Sequence, residues 1–210
     1  MRDAATFWNG VAAKYARSPI RDMQAYDYTM ERTAAYLSPN DRVLELGCGT
    51  GTTALRLADK VAHYTGSDIA QEMIVIAKEK AFDAKAENIE FMAGGVTDIE
   101  AEPLDAVLAY NLIHLLDNAA EAMAKAHTLL KPGGYFISKT VCSPSKSSSL
   151  KFRLMIAVLP LMQLIGKAPY VNFMETPELE ALIEDAGFKI IETGNYPADP
   201  PCRFVVARKI

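Results

Sequence analysis

Apolar runs of strand length alternate along this chain with longer segments whose apolar residues recur at helical spacing. Residues 42–47, 63–68, 89–93, 105–110 and 134–140 read as strands, and 51–59, 71–82 and 119–130 read as the helices between them. Val43-Leu44-Glu45-Leu46 is almost continuously apolar, as expected of a parallel strand covered on both faces. Two helices precede this series. After it, Thr176 reads as the cap of a helix with Pro177 at its first position and Gly187 at its end. Residues 189–193 and 203–207 then form two strands joined by a Pro-rich turn. Strand and helix in alternation predict an α/β, doubly wound, Rossmann-like sheet. The last two strands read as a closing hairpin.

The first strand runs into Gly47-Cys48-Gly49-Thr50-Gly51, and three glycines at alternate positions permit a tight turn that a ligand can approach closely. Glu45 stands two residues before the first of them. A carboxylate there would repel the pyrophosphate of a dinucleotide, whereas it suits a positively charged ligand such as S-adenosylmethionine. Asp68 closes the second strand about twenty residues on, where an acid can accept hydrogen bonds from ribose hydroxyls or cap the next helix.

With these residues in place, the chain resembles the class I S-adenosylmethionine-dependent methyltransferases of small-molecule type. The resemblance rests on Glu45–Gly51, on Ser67-Asp68-Ile69-Ala70-Gln71-Glu72-Met73, on Leu104–Asn111, and on Leu129-Leu130-Lys131-Pro132-Gly133-Gly134-Tyr135-Phe136. It implies a seven-stranded, mostly parallel sheet with an antiparallel last strand, and S-adenosylmethionine as cofactor. It places Glu45, Gly47, Cys48 and Gly49 at the cofactor turn, with Asp68, Ile69 and Met73 at the second strand. Gly95, Val96, Ala109 and Tyr110 follow at the ends of the third and fourth strands. Tyr15, in an opening segment Phe7–Tyr15 like that of small-molecule methyltransferases, would lie near the methionine end. Relatives place an acid after the third strand to meet adenine, but here Gly95 occupies that position. Asp98 either takes over or is a solvated loop acid. His114, after the fourth strand, is expected to line the substrate pocket, with no catalytic base assigned; His63 and His127 carry no role.

Composition narrows this reading without changing it. The chain has 210 residues, half of them apolar, which suits one methyltransferase domain over 1–210 with cap helices within 1–38. A formal net charge of −4 and no basic run give no footprint for nucleic acid. Cys48, Cys142 and Cys202 are odd in number and widely spaced, which suits a reducing compartment, and no metal-ligand spacing is present. Cys48 reads as a small buried filler. Met1–Asn9 lacks a signal-peptide pattern, and a cytoplasmic location is expected.

A lid-like insertion occupies 143–173: a polar loop, Ser143–Ser149, then a segment rich in Leu, Met and Ile. Its apolar stretch is too short to span a bilayer. A lid over the acceptor pocket ranks first among its readings, a homodimer contact second and an interfacial membrane helix third, beside plain packing; no stable membrane insertion is expected. The function expected is methyl transfer from S-adenosylmethionine to a small, partly apolar acceptor. A nicotinamide-dependent oxidoreductase and a non-catalytic S-adenosylmethionine-binding module are the alternatives.

Overall fold

The computed structural model describes residues 3–144 and 148–210. Residues 145–147 of the expected polar loop and the first two of the N-terminal segment lie outside the described residues.

Two helices, α1 (Ala4–Ala16) and α2 (Met23–Ala34), lead into β1 (Arg42–Leu46). There follow α3 (Thr52–Leu57), β2 (His63–Asp68), α4 (Gln71–Asp83), β3 (Ile89–Ala93), β4 (Leu104–Tyr110), α5 (Ala119–Leu129) and β5 (Leu130–Val141). The chain closes with α6 (Leu150–Leu164), α7 (Thr176–Asp185), β6 (Phe188–Asn195) and β7 (Cys202–Lys209). The seven strands lie in the order β3-β2-β1-β4-β5-β7-β6. All neighbouring pairs are parallel except those of β7, which runs against both β5 and β6. The expected sheet and its reversed last strand are therefore both present.

Side-chain alternation divides the core into two layers. Val43, Leu108, Ile137 and Phe204 pack on one face with residues of α3 and α4. Leu44, Val107, Phe136 and Val205 pack on the other with α5 and α7. Neighbouring residues of one strand thus meet different helices, and this double burial explains the nearly unbroken apolar runs. The sheet order reverses between β1 and β4, where the carboxyl ends of adjacent strands open a crevice.

Two details differ from expectation. The cap of α7 is Glu175, not Thr176, and its amide donates to Glu178 Oε2 at 3.2 Å. Thr176 and Pro177 are the first two helical residues, where a missing amide hydrogen costs nothing. The insertion forms a 15-residue helix, α6, whose sole buried residue is Phe152.

Candidate active site

The glycine turn after β1 adopts backbone angles that only glycine reaches cheaply. Gly47, Gly49 and Gly51 have φ of 65°, 52° and 72°. Their surroundings give them different tasks. A Cβ on Gly47 would stand 2.7 Å from the end of the Leu112 side chain, and one on Gly51 2.7 Å from the buried Phe91 ring and 3.0 Å from Ala77, so Gly51 in particular is needed for packing. A Cβ on Gly49 would meet only Tyr15, at 3.8 Å. Gly49 therefore faces open space beneath an aromatic ring.

Asp68 fastens this turn to β2. Its Oδ2 accepts from the Gly49 amide at 2.9 Å and its Oδ1 from the Ala70 amide at 2.8 Å. Partial burial raises its pKa, while the two amide hydrogen bonds pull it down. A carboxylate has about four acceptor positions, so capacity remains for a ligand.

Between these groups lies a cleft of about 810 Å³, open solvent included. Its walls are Ala4, Trp8 and Tyr15 from α1, Gly47 and Gly49 from the turn, and Ser67, Asp68, Ile69 and Met73 from β2 and the start of α4. Gly94, Gly95 and Val96 follow β3, and Tyr110, Asn111, Leu112, Leu115 and Leu116 follow from β4. Nine of the expected site residues are thus brought together: Tyr15, Gly47, Gly49, Asp68, Ile69, Met73, Gly95, Val96 and Tyr110.

Four are placed elsewhere. Glu45 is 2% exposed, off the cleft wall, with the Tyr64 hydroxyl donating to its Oε2 at 2.9 Å. Burial pushes its pKa up to about 8 against the pull of hydrogen bonds from Tyr64 and Thr53, and the Asp68 charge adds to the rise. Cys48 is buried in the core, where desolvation holds its thiol well above the ordinary range. This is the filler role expected of it, without a place on the wall. Ala109 points into the α5 face of the core, because adjacent strand residues alternate and Tyr110 takes the cleft side.

His114 is the fourth. Residues Ile113–Leu115 form a 3₁₀ turn, in which residues three apart share a side. Leu112 and Leu115 consequently face the cleft, and His114 stacks on Phe173 with ring centroids 6.4 Å apart. Burial pushes its pKa down to about 4, so the ring is neutral near pH 7. Asp98 turns its carboxylate to the Gly95 amide at 3.1 Å and does not line the cleft.

Several wall residues had no sequence signal of their own. Trp8 and Ala4 reach the site because α1 packs on α4 through Ala12, Ala70 and Met73. Asn111 sits in the left-handed region, at φ 53°, where β4 ends. Its amide donates to the Lys139 carbonyl at 2.7 Å, and Lys139 itself is buried, which favours its neutral amine. Among the described residues, no group of three His, Cys, Asp or Glu side chains could hold a metal ion.

Comparison with known proteins identifies the family. Residues 37–177 match the family model described as "Methyltransferase domain". The chain is 28% identical over 192 residues to the ubiquinone biosynthesis O-methyltransferase of Xylella fastidiosa, covering 89% of this chain and 73% of that protein. The protein of the same name in Burkholderia pseudomallei is 26% identical over 195 residues, covering 90% and 81%. Among solved structures, magnesium protoporphyrin IX methyltransferase from Synechocystis, with bound SAH, superposes with a TM-score of 0.76 over 98% of both chains at 18% identity. That likeness speaks to fold. The chain belongs to the methyltransferase-domain family and is a class I S-adenosylmethionine-dependent enzyme.

The residues present fit that cofactor. Gly49 leaves a cradle that any side chain would fill, and Asp68 offers acceptor capacity beside it. Ile69 and Val96 give apolar surface for a base. The oxidoreductase reading is set aside by the family match.

Proposed function

We propose that this enzyme methylates a phenolic or quinol hydroxyl on a small, partly apolar molecule. The observation that carries this reading is the polarity of the cleft. Asp68 is the one charged side chain among its described lining residues, and Trp8, Tyr15, Ile69, Val96, Leu112, Leu115 and Leu116 make most of the remaining wall apolar.

In this reading Asp68 accepts hydrogen bonds from the ribose hydroxyls. Ile69 and Val96 flank the adenine, whose edge meets the backbone of Gly95. Tyr15 covers the methionine end above Gly49. The bound cofactor supplies an electrophilic methyl group on a positively charged sulfur. The chain's own contribution is positioning and exclusion of water: α1 covers the turn, and the leucines after β4 hold the acceptor with its oxygen in line for displacement.

The fate of the acceptor proton favours a phenol over an aliphatic alcohol. A phenolic hydroxyl, with a pKa of about 10, can release its proton to water. An alcohol requires a positioned base, and His114 is off the wall. The names of the relatives, O-methyltransferases of ubiquinone biosynthesis, support an oxygen acceptor of this kind.

Methyl transfer to a panel of quinols, phenols, aliphatic alcohols, amines and thiols tests the reading. Turnover concentrated on phenols and quinols with apolar substituents is expected. A higher kcat/KM on amines or thiols would overturn it. Tight binding of S-adenosylhomocysteine without turnover on any member would instead favour a non-catalytic binding module.

A further inference from the structure

Helix α6 reverses the usual arrangement of a surface helix. Leu150, Leu154, Val158, Leu161 and Ile165 recur at intervals of three and four residues, which places them on one face. That face is turned outward: Leu150 is 80% exposed, Leu154 63% and Leu161 60%, with Leu164 beside them at 83%. The inward side is fixed to the domain through Phe152, which packs edge-on against Phe173 with centroids 6.2 Å apart. Gln163 adds a hydrogen bond to the Pro169 carbonyl at 2.8 Å. No residue of α6 lines the cleft. The apolar stripe is therefore spare surface, and it does not close the active site as a lid in this structure.

Charge selects what would cover it. Lys151 and Arg153 lie in the first turn, Lys167 lies just past the last, and none of the three residues has an acidic neighbour in sequence. No Asp or Glu occurs between Glu121 and Glu175, in a chain whose formal net charge is −4. On an ideal helix Lys151 and Arg153 fall on opposite flanks of the stripe. Two copies paired through this face would bring these cations together with no acid from α6 to meet them. An anionic bilayer surface complements them and accepts the leucines between its headgroups. At 15 residues the helix is too short to cross, and no described helix is long and apolar enough to do so.

We propose that α6 is an interfacial docking helix that seats this enzyme on anionic lipid membranes. The sequence pattern, basic flanks included, ranks this below a lid or a dimer contact; the outward turn of the stripe reverses that order. The same helix is joined to the active site. Phe173 stacks on His114, whose neighbours Leu112 and Leu115 line the cleft. A docked enzyme would hold this apolar wall close to the lipid surface. Vesicle binding by α6 does not depend on which acceptor the cleft takes.

Co-sedimentation of the full chain with vesicles tests this directly. Binding to phosphatidylcholine mixed with phosphatidylglycerol is expected to exceed binding to phosphatidylcholine alone and to weaken with added salt. The double variant Leu154→Ser, Leu161→Ser should bind the mixed vesicles roughly tenfold more weakly or worse. The double variant Lys151→Glu, Arg153→Glu should lose the preference for anionic lipid. Both should bind S-adenosylhomocysteine like the parent, which verifies the fold separately from the docking face. Failure to bind either vesicle, binding indifferent to lipid charge, or binding unchanged in both variants would overturn the proposal. So would a dimer in sedimentation velocity that the serine variant dissolves, without vesicle affinity in the parent.

Discussion

Replacing Glu45 with glutamine should remove most of one component of the pH dependence of stability in the ligand-free enzyme. The carboxyl is wholly buried and its pKa rises from the usual 4.5 to about 8, with burial as the main cause. Between those two values the folded chain keeps a proton that the unfolded chain has released. This contribution to stability is therefore fully present below pH 4.5 and is lost as pH rises through about 8. Each pH unit in that window is worth about 1.36 kcal/mol for one proton, so the whole span amounts to roughly 5 kcal/mol. Glutamine is nearly isosteric and cannot ionise, and its carbonyl can accept the hydrogen bond that Tyr64 now gives to Oε2. Parent and variant should match in stability near pH 5 and diverge steadily in favour of the variant, by about 3–4 kcal/mol at pH 8. Urea unfolding followed by circular dichroism at four pH values, without cofactor, measures this. Titrating groups remote from Glu45 are present in both proteins and largely cancel in the difference. Equal pH slopes in the two proteins would refute the placement of Glu45 as a buried, protonated acid.

Two further substitutions probe the cofactor turn. Asp68→Ala removes charge-assisted hydrogen bonds to the Gly49 and Ala70 amides, so it should cost roughly 2 kcal/mol or more in a thermal melt and lower S-adenosylhomocysteine affinity at least about tenfold by calorimetry; undiminished affinity would remove Asp68 from the site. Gly49→Val should cost only about 1–2 kcal/mol, because the strain is that of φ at 52° and the nearest obstacle is Tyr15 at 3.8 Å. It should nevertheless abolish cofactor binding, and a calorimetric titration like the parent's would show that no ligand crosses this turn.

The sheet is legible in the sequence because burial on both faces writes itself as apolar runs, and its parallel character follows from strand–helix alternation. Orientation of single side chains is less so. Glu45 precedes the glycine turn, which invites a reading in which it meets the ligand, but its partner is Tyr64, nineteen positions away on the neighbouring strand. No local pattern reveals that pairing. His114 lies off the cleft wall for a related reason: a 3₁₀ turn sorts residues by threes, and the turn is not identifiable from Leu112-Ile113-His114-Leu115 alone. The reading of α6 as a lid rested on its position after β5. Which of its faces looks outward depends on Phe152 meeting Phe173 some twenty residues later, a contact that spacing does not encode.

The contribution of α1 to the site shows how the two halves of the chain depend on each other. Helix α4 begins at Gln71 after Ala70, which has no side chain able to cap the free amides of its first turn. One of those amides, that of Glu72, donates instead to Asn9 Oδ1 of α1 at 2.9 Å. Trp8, next to it, packs against the cluster formed by Ala12, Ala70 and Met73 and also lines the cleft. The amide of Ala70 is in turn held by Asp68. A single line of contacts therefore runs from the wall of the cleft at Asp68, through the start of α4, to the helix that carries Trp8 and Tyr15. A ligand that engages Asp68 and Tyr15 together would tie both ends of this line, so cofactor binding and the seating of α1 should be mutually stabilising.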